Sequence, residues 1–190
     1  MSIGLFPLPM LLMPGGVSQL RIFEPRYQRL VAEAHQNDNS FVLSPSMLTG
    51  ESHPFRLGVR VAITDFDRLQ DGLLGISIEA IERVSLYDFR QADDKLHTAQ
   101  YVSIANLPAG EPLAEYHWLA EGLAPVLSQH PLYEDQITSA QLADLTWVCQ
   151  RWLEFLPFSE TTKRQLLAVQ ESRRLAQILT QVLPKAEPNS

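Results

Sequence analysis

Residues 13–27, MPGGVSQLRIFEPRY, crowd two glycines, two prolines and three charged side chains into one short stretch. A phosphate cradle needs a glycine loop that ends in lysine and a hydroxyl at a helix N-terminus. Gly15-Gly16 runs instead into VSQLR, without a G-K-[ST] ending and toward a strand, so the pair reads as a turn after Pro14. Nucleophilic chemistry needs a serine or thiolate beside a base. Ser77 in GISIE lacks the second glycine of a nucleophile elbow, and Cys149 lies on an apolar helical stripe with Leu145 and Leu153, the setting of a small buried hydrophobe. The histidines at 35, 53, 97, 117 and 130 have no H-x-H or H-E-x-x-H spacing. Asp65, Asp67 and Asp71 suggest calcium, but Leu69 occupies a ligand position and no glutamate closes the loop; they read as solvated hairpin carboxylates. No catalytic residue, metal site or cofactor is expected.

Two clusters remain. In RIFEPRY, Glu24 stands at a helix N-terminus, where its charge is favoured. Phe23 and Tyr27 are expected to pack under the turn, with Arg21 or Arg26 paired to Glu24, so the motif reads as scaffolding. The loop Ser44 to Arg56, SPSMLTGESHPFR, sets Met47, Leu48 and Phe55 among turn residues. Apolar groups on a loop either tuck into the core or offer an adaptable contact surface. These three are the candidate partner-contact residues, with tucking into the core as the alternative.

Up to about Asn106 the elements that position these groups are strands. VSQLRI alternates, and FVLS, GVRVAITDF, LLGISIEA, IERVSLYDF and QYVSIA follow, rich in β-branched residues. Asp71-Gly72 predicts an antiparallel hairpin with Gly72 at positive φ. LLGISIEA and IERVSLYDF join without a turn, which predicts one long bent strand or a bulge near Ala80. One helix interrupts: Pro25 fits a first helical position, and Tyr27, Leu30, Val31 and Ala34 share a face until QNDN. From Glu111 the period becomes helical. Leu113 to Leu127 mark one helix, distorted at Gly122 and Pro125. Ser139 is expected to cap a second, carrying Leu142, Leu145, Cys149, Trp152 and Leu156, and Ser159 a third with Leu166 and Leu167. A last stripe, Leu175, Ile178, Leu179 and Val182, follows a break at residues 170–172. The expected division is residues 1–108 β-rich, 109–183 helical, and 184–190 a mobile tail.

The chain has 190 residues, 45% of them hydrophobic, and a net charge of -7, which disfavours nucleic acid, whose affinity rests on Lys and Arg releasing counterions. Residues 111–154 hold seven acids and one base, Arg151; from Phe155 onward there are three acids and five bases. The apolar N-terminus lacks a basic n-region and is cut by Pro7, Pro9 and Pro14, so neither a signal peptide nor a membrane span is expected. One cysteine permits no intrachain disulfide. A cytoplasmic protein is expected.

Three blocks in order, LFPLPMLLMPGGVSQLRIFEPRYQRLVAEA, LGVRVAITDFDRLQDGLLGISIEAIERVSL and LPFSETTKRQLLAVQESRRLAQIL, resemble the N-terminal substrate-recognition domain of the ATP-dependent protease Lon, found in bacteria also as stand-alone proteins. The similarity spans about Gly4 to Leu183. It implies an α+β fold, a PUA-like β-barrel followed by an α-helical bundle. Pro7, Pro14, Gly15 and Gly16 would stand at the barrel entrance, RIFEPRY at a strand-to-helix corner, and Gly75 and Arg83 on the second long strand. It also implies a non-catalytic module that binds other polypeptides by their exposed apolar segments. The chain ends before an ATPase or Ser-Lys protease module would begin, and holds no G-x-x-x-x-G-K-[ST]. Three alternatives stay open: a self-associating adaptor or regulatory subunit using the acidic helical half and exposed members of Trp118, Tyr133 and Trp147; an RNA-binding PUA-like protein; and a small enzyme.

Overall fold

Asp71-Gly72 does form the turn of a hairpin. Gly72 has φ 83° and donates its N–H to Leu69 O at 2.8 Å, while Asp71 Oδ1 accepts the Leu73 N–H at 3.1 Å. The computed structural model that contains this hairpin describes residues 2–45, 57–133 and 137–184. Strands are β1 (Ser2–Pro7), β2 (Val17–Ile22), β3 (Ser40–Ser44), β4 (Leu57–Arg68), β5 (Leu74–Gln91) and β6 (His97–Ile104). Helices are α1 (Pro25–Gln36), α2 (His117–Ser128), α3 (Ser139–Ala143), α4 (Leu145–Phe155), α5 (Glu160–Leu167) and α6 (Ser172–Val182). The chain is thus a mixed α+β protein, with a six-stranded sheet among the described residues.

The sheet order is β2-β5-β4-β3-β1-β6, and β6 also pairs with β5. β5 is the continuous strand that its sequence implies, and the register against β4 slips where Arg60 faces Glu82 and Val61 faces Ala80. Ile81 is therefore an extra residue, a bulge beside the anticipated Ala80. A second slip leaves Thr64 unpaired on β4. β1 had no counterpart in the strand reading, because Pro7 and Pro9 obscure the alternation of Ile3 and Leu5. It lies parallel to β3 and antiparallel to β6. α1 connects the parallel pair through its buried Tyr27, Leu30, Val31 and Ala34, with Pro25 in its first turn. Tyr27 stacks on Phe6 at 4.0 Å between ring centroids. Ile3, Leu5, Val42, Val84, Leu86 and Ala99 form one buried cluster, with Phe89 and Tyr101 packed against it.

Pro14-Gly15 is the turn anticipated from its composition. Gly16 N–H donates to Met13 O at 2.8 Å, and Gly15 takes φ 76°, the positive value that a type II turn requires at its third residue. Gly15 N–H then donates to Ala80 O and Gly16 O accepts from Ala80 N–H, both at 2.8 Å. Two residues thus face one, a glycine bulge that fastens the start of β2 to β5.

The single helix expected from Ser139 is two. Thr138, not Ser139, caps α3 in a capping box with Gln141, and Asp144, extended at φ -88° and ψ 105°, ends α3 and caps α4. Asp144 Oδ1 accepts N–H bonds from Gly110 (2.7 Å), Thr146 (2.8 Å) and Trp147 (3.3 Å). Ser159 does cap α5, accepting from Thr162 N–H at 3.2 Å. Two compact units result: residues up to Asn106 with Phe158–Leu167, and Leu107–Pro157 with the residues from Ala168 on. Within the first, Arg83 is fully buried and donates from Nη1 to Leu167 O and from Nη2 to Ala105 O, each at 3.0 Å.

Candidate functional site

Among the described residues, several groups with chemical potential take part in packing, turns and ion pairs. Cys149 is fully buried on α4, and burial, then Asp144, push its thiol up to about 12, so it stays protonated at neutral pH. Asp71 pairs with Arg21 besides closing its turn, and Asp65 accepts the Phe66 N–H at 2.8 Å. His35 edges onto Phe66 with centroids 5.2 Å apart, and His130 onto Phe155 at 5.3 Å. Among the described residues no three His, Cys, Asp or Glu side chains gather as a metal site would require. A cavity of about 90 Å³ among Ser2, Leu30, Glu33, Asp38, Phe41 and Tyr101 is well below the size of small-molecule sites, whereas a shallower depression of about 340 Å³ lies along Val169, Gln170, Glu171, Arg173, Arg174 and Gln177.

In RIFEPRY, Arg26 is the arginine that pairs with Glu24, at 2.7 Å, and its guanidinium lies 4.7 Å from the centre of the Tyr27 ring. Arg21 turns the other way, to Asp71. Phe23 does not pack under the turn: it is 63% exposed. The reason is positional, since Ile22 is the last β2 residue to face the core and Phe23 follows on the opposite side before Pro25 opens the helix.

Phe66 is a second exposed aromatic, at 41%, that the strand pattern left unmarked. It sits between Asp65 and Asp67 at the outer end of β4, and an apolar residue flanked by acids on an alternating strand was the available signal. Leu20, Ile76 and Phe66 lie side by side across β2, β5 and β4. In the next row Arg21 and Asp67 flank Gly75, where Leu69 packs so closely that a Cβ would come within 3.0 Å of its Cδ2. Tyr87 and Val102 are also exposed. By contrast Tyr133 is buried and Trp118 and Trp147 half-buried, so none of the aromatics marked for self-association is exposed. Met47, Leu48 and Phe55, the candidate contact residues, lie outside the described residues, as does the tail from residue 185.

A family model described as the ATP-dependent protease La (LON) substrate-binding domain matches residues 2–185. The crystal structure of a Lon N-terminal domain protein from Xanthomonas campestris is similar at a TM-score of 0.74 and 29% identity, covering 97% of this chain and 99% of that one. The N-terminal domain of Mycobacterium avium complex Lon protease shares the fold at a TM-score of 0.66 and 15% identity, over 95% of this chain and 97% of that one. No curated protein matches. With a family match that runs through every strand and helix described above, the chain belongs to the Lon substrate-binding domain family.

Proposed function

We propose that this protein is a non-catalytic module that binds other polypeptides through their exposed apolar segments. The observation that carries the reading is the family match across residues 2–185, a family described by its binding of substrate. Exposed apolar side chains such as Phe23 and Phe66 supply surface of the required kind. Within this reading the sheet is a PUA-like barrel: pairings run from β5 through β4, β3, β1 and β6 and return to β5, and the buried cluster draws on β1, β3, β5 and β6 along that circuit. The helices of the second unit make the accompanying bundle, with the division between barrel and bundle near residue 107. A cytoplasmic setting belongs to the same reading, since a lone buried thiol calls for no oxidising compartment.

The test is binding of the purified protein to a permanently unfolded, carboxymethylated α-lactalbumin and to overlapping synthetic peptides tiled along it, read by fluorescence anisotropy. Binding without cleavage of the peptides is the expected result, and replacing Met47, Leu48 and Phe55 together by serine is expected to weaken it by about tenfold. No binding to any peptide overturns the reading. Undiminished binding by the folded serine variant removes that loop as the contact.

A further inference from the structure

We propose that the outer edge of β2 receives an extended polypeptide segment as an added strand. The inference rests on the polypeptide-binding reading above and specifies how the segment is held. Among the described residues β1, β3, β4 and β6 each pair on both sides, whereas β2 pairs only with β5, from Val17 opposite Glu79 to Ile22 opposite Leu74. Ala80 directs both its N–H and its C=O at the glycine bulge. By the alternation of an antiparallel ladder, Ile78, Ile76 and Leu74 then exchange bonds with Ser18, Leu20 and Ile22. Gln19 and Arg21 therefore turn their N–H and C=O groups away from β5, and among the described residues these four groups meet no partner.

Open edges are normally blunted by charge, proline or bulges. The free side of β4 beyond Ile63 is: Thr64 is bulged, Asp65, Asp67 and Arg68 are charged, and the Asp65 carboxylate occupies the Phe66 N–H. β2 has no proline or bulge between Val17 and Ile22, and its one charge, Arg21, is engaged by Asp71. An extended segment beside Gln19 and Arg21 meets the four unpaired groups; its alternate side chains continue the Leu20–Ile76–Phe66 row on one face, and the others lie on the face from which exposed Phe23 projects. Glu24 and Asp71 are engaged by Arg26 and Arg21, which leaves the carboxylates of Asp67 and Glu79 beside the strand, so the segment that fits has apolar residues at alternate positions and a basic flank. A second copy of the chain is a poorer occupant, because each carries a net charge of -7.

The test takes the tightest peptide from the lactalbumin panel and N-methylates its backbone at odd or at even positions. One set is expected to lose about tenfold or more in affinity for the wild-type protein and the other to bind within about twofold, because only alternate amides of an added strand face β2. Gln19→Pro removes an outward N–H without touching a β5 bond, so it is expected to fold and to lose about tenfold in peptide affinity. Equal affinity of both methylated sets, or full affinity of folded Q19P, overturns the strand addition while leaving polypeptide binding intact. A wild-type dimer that Q19P dissociates also overturns it, assigning the edge to a second copy. Failure of the wild type to bind any peptide overturns the underlying reading itself. Should Q19P not fold, the methylated peptides decide on the unaltered protein.

Discussion

His97 opens β6 half-buried, with its Nε2 3.1 Å from Gln91 Nε2. Burial, and then the charge of Arg26, hold its imidazole below the ordinary histidine value. The unfolded chain, titrating near ~6.5, takes up this proton first as pH falls. Between the folded and unfolded values the unfolded state carries more protons, so this contribution is fully present above about pH 6.5 and is lost as pH drops toward the folded value. Urea unfolding at about pH 7.5 and about pH 5.5 is therefore expected to show a larger acid-induced loss in the wild type than in His97→Gln. Equal losses would exclude His97 as the source. Other residue-level readings were open to the sequence alone where periodicity fixed burial, as for Cys149 among Leu145 and Leu153 on α4. Phe23 was not, because period alone cannot say whether a strand has a neighbour to cover what projects beyond its end.

At the scale of elements, turn chemistry was the most legible feature. Pro14-Gly15 and Asp71-Gly72 both place glycine where φ is positive, which is a local demand independent of the rest of the fold. β1 was hidden because prolines interrupt its pattern, and its partners β3 and β6 are distant in sequence. The break between α3 and α4 was hidden for the opposite reason: Leu142, Leu145 and Cys149 keep helical spacing straight across extended Asp144. That break fixes α4, since one carboxylate oxygen receives three backbone N–H groups. Asp144→Ala leaves all three without this acceptor and is expected to cost about 2 kcal/mol, a fall of about 4–8 °C in Tm by calorimetry. Asp144→Asn, which keeps a capping oxygen, is expected to retain most of the stability. A Tm unchanged in the alanine variant would mean that α4 does not depend on its cap.

Across the whole molecule, the change from strand to helical period near Asn106 was visible in composition, but the assignment of α5 was not. Its stripe of Leu166 and Leu167 resembles that of any helix in the second half, yet it belongs to the unit of the sheet. Contacts at very long sequence separation hold it there: Arg83 to the carbonyl of Leu167, and Lys163 Nζ to Pro9 O at 2.6 Å. Burial lowers the Arg83 pKa, because removal from water disfavours the charged guanidinium. Arg83→Met strips a donor from two carbonyls and is expected to cost about 2–4 kcal/mol, with hydrogen-exchange protection falling first across residues 158–167. Lysine is not expected to rescue it, because a single ammonium lacks the planar fork that reaches both oxygens. Uniform loss of protection throughout the sheet would mean that Arg83 supports β5 and not the return of α5.

That return sets an order of events at the ribosome. The sheet strands emerge by Ile104, but the carbonyl that Arg83 addresses at Leu167 arrives only after the whole stretch Leu107–Pro157 has been translated. A nascent chain paused before α5 would hold an arginine awaiting one of its acceptors, so the unit that begins first is completed only after most of the second has been made.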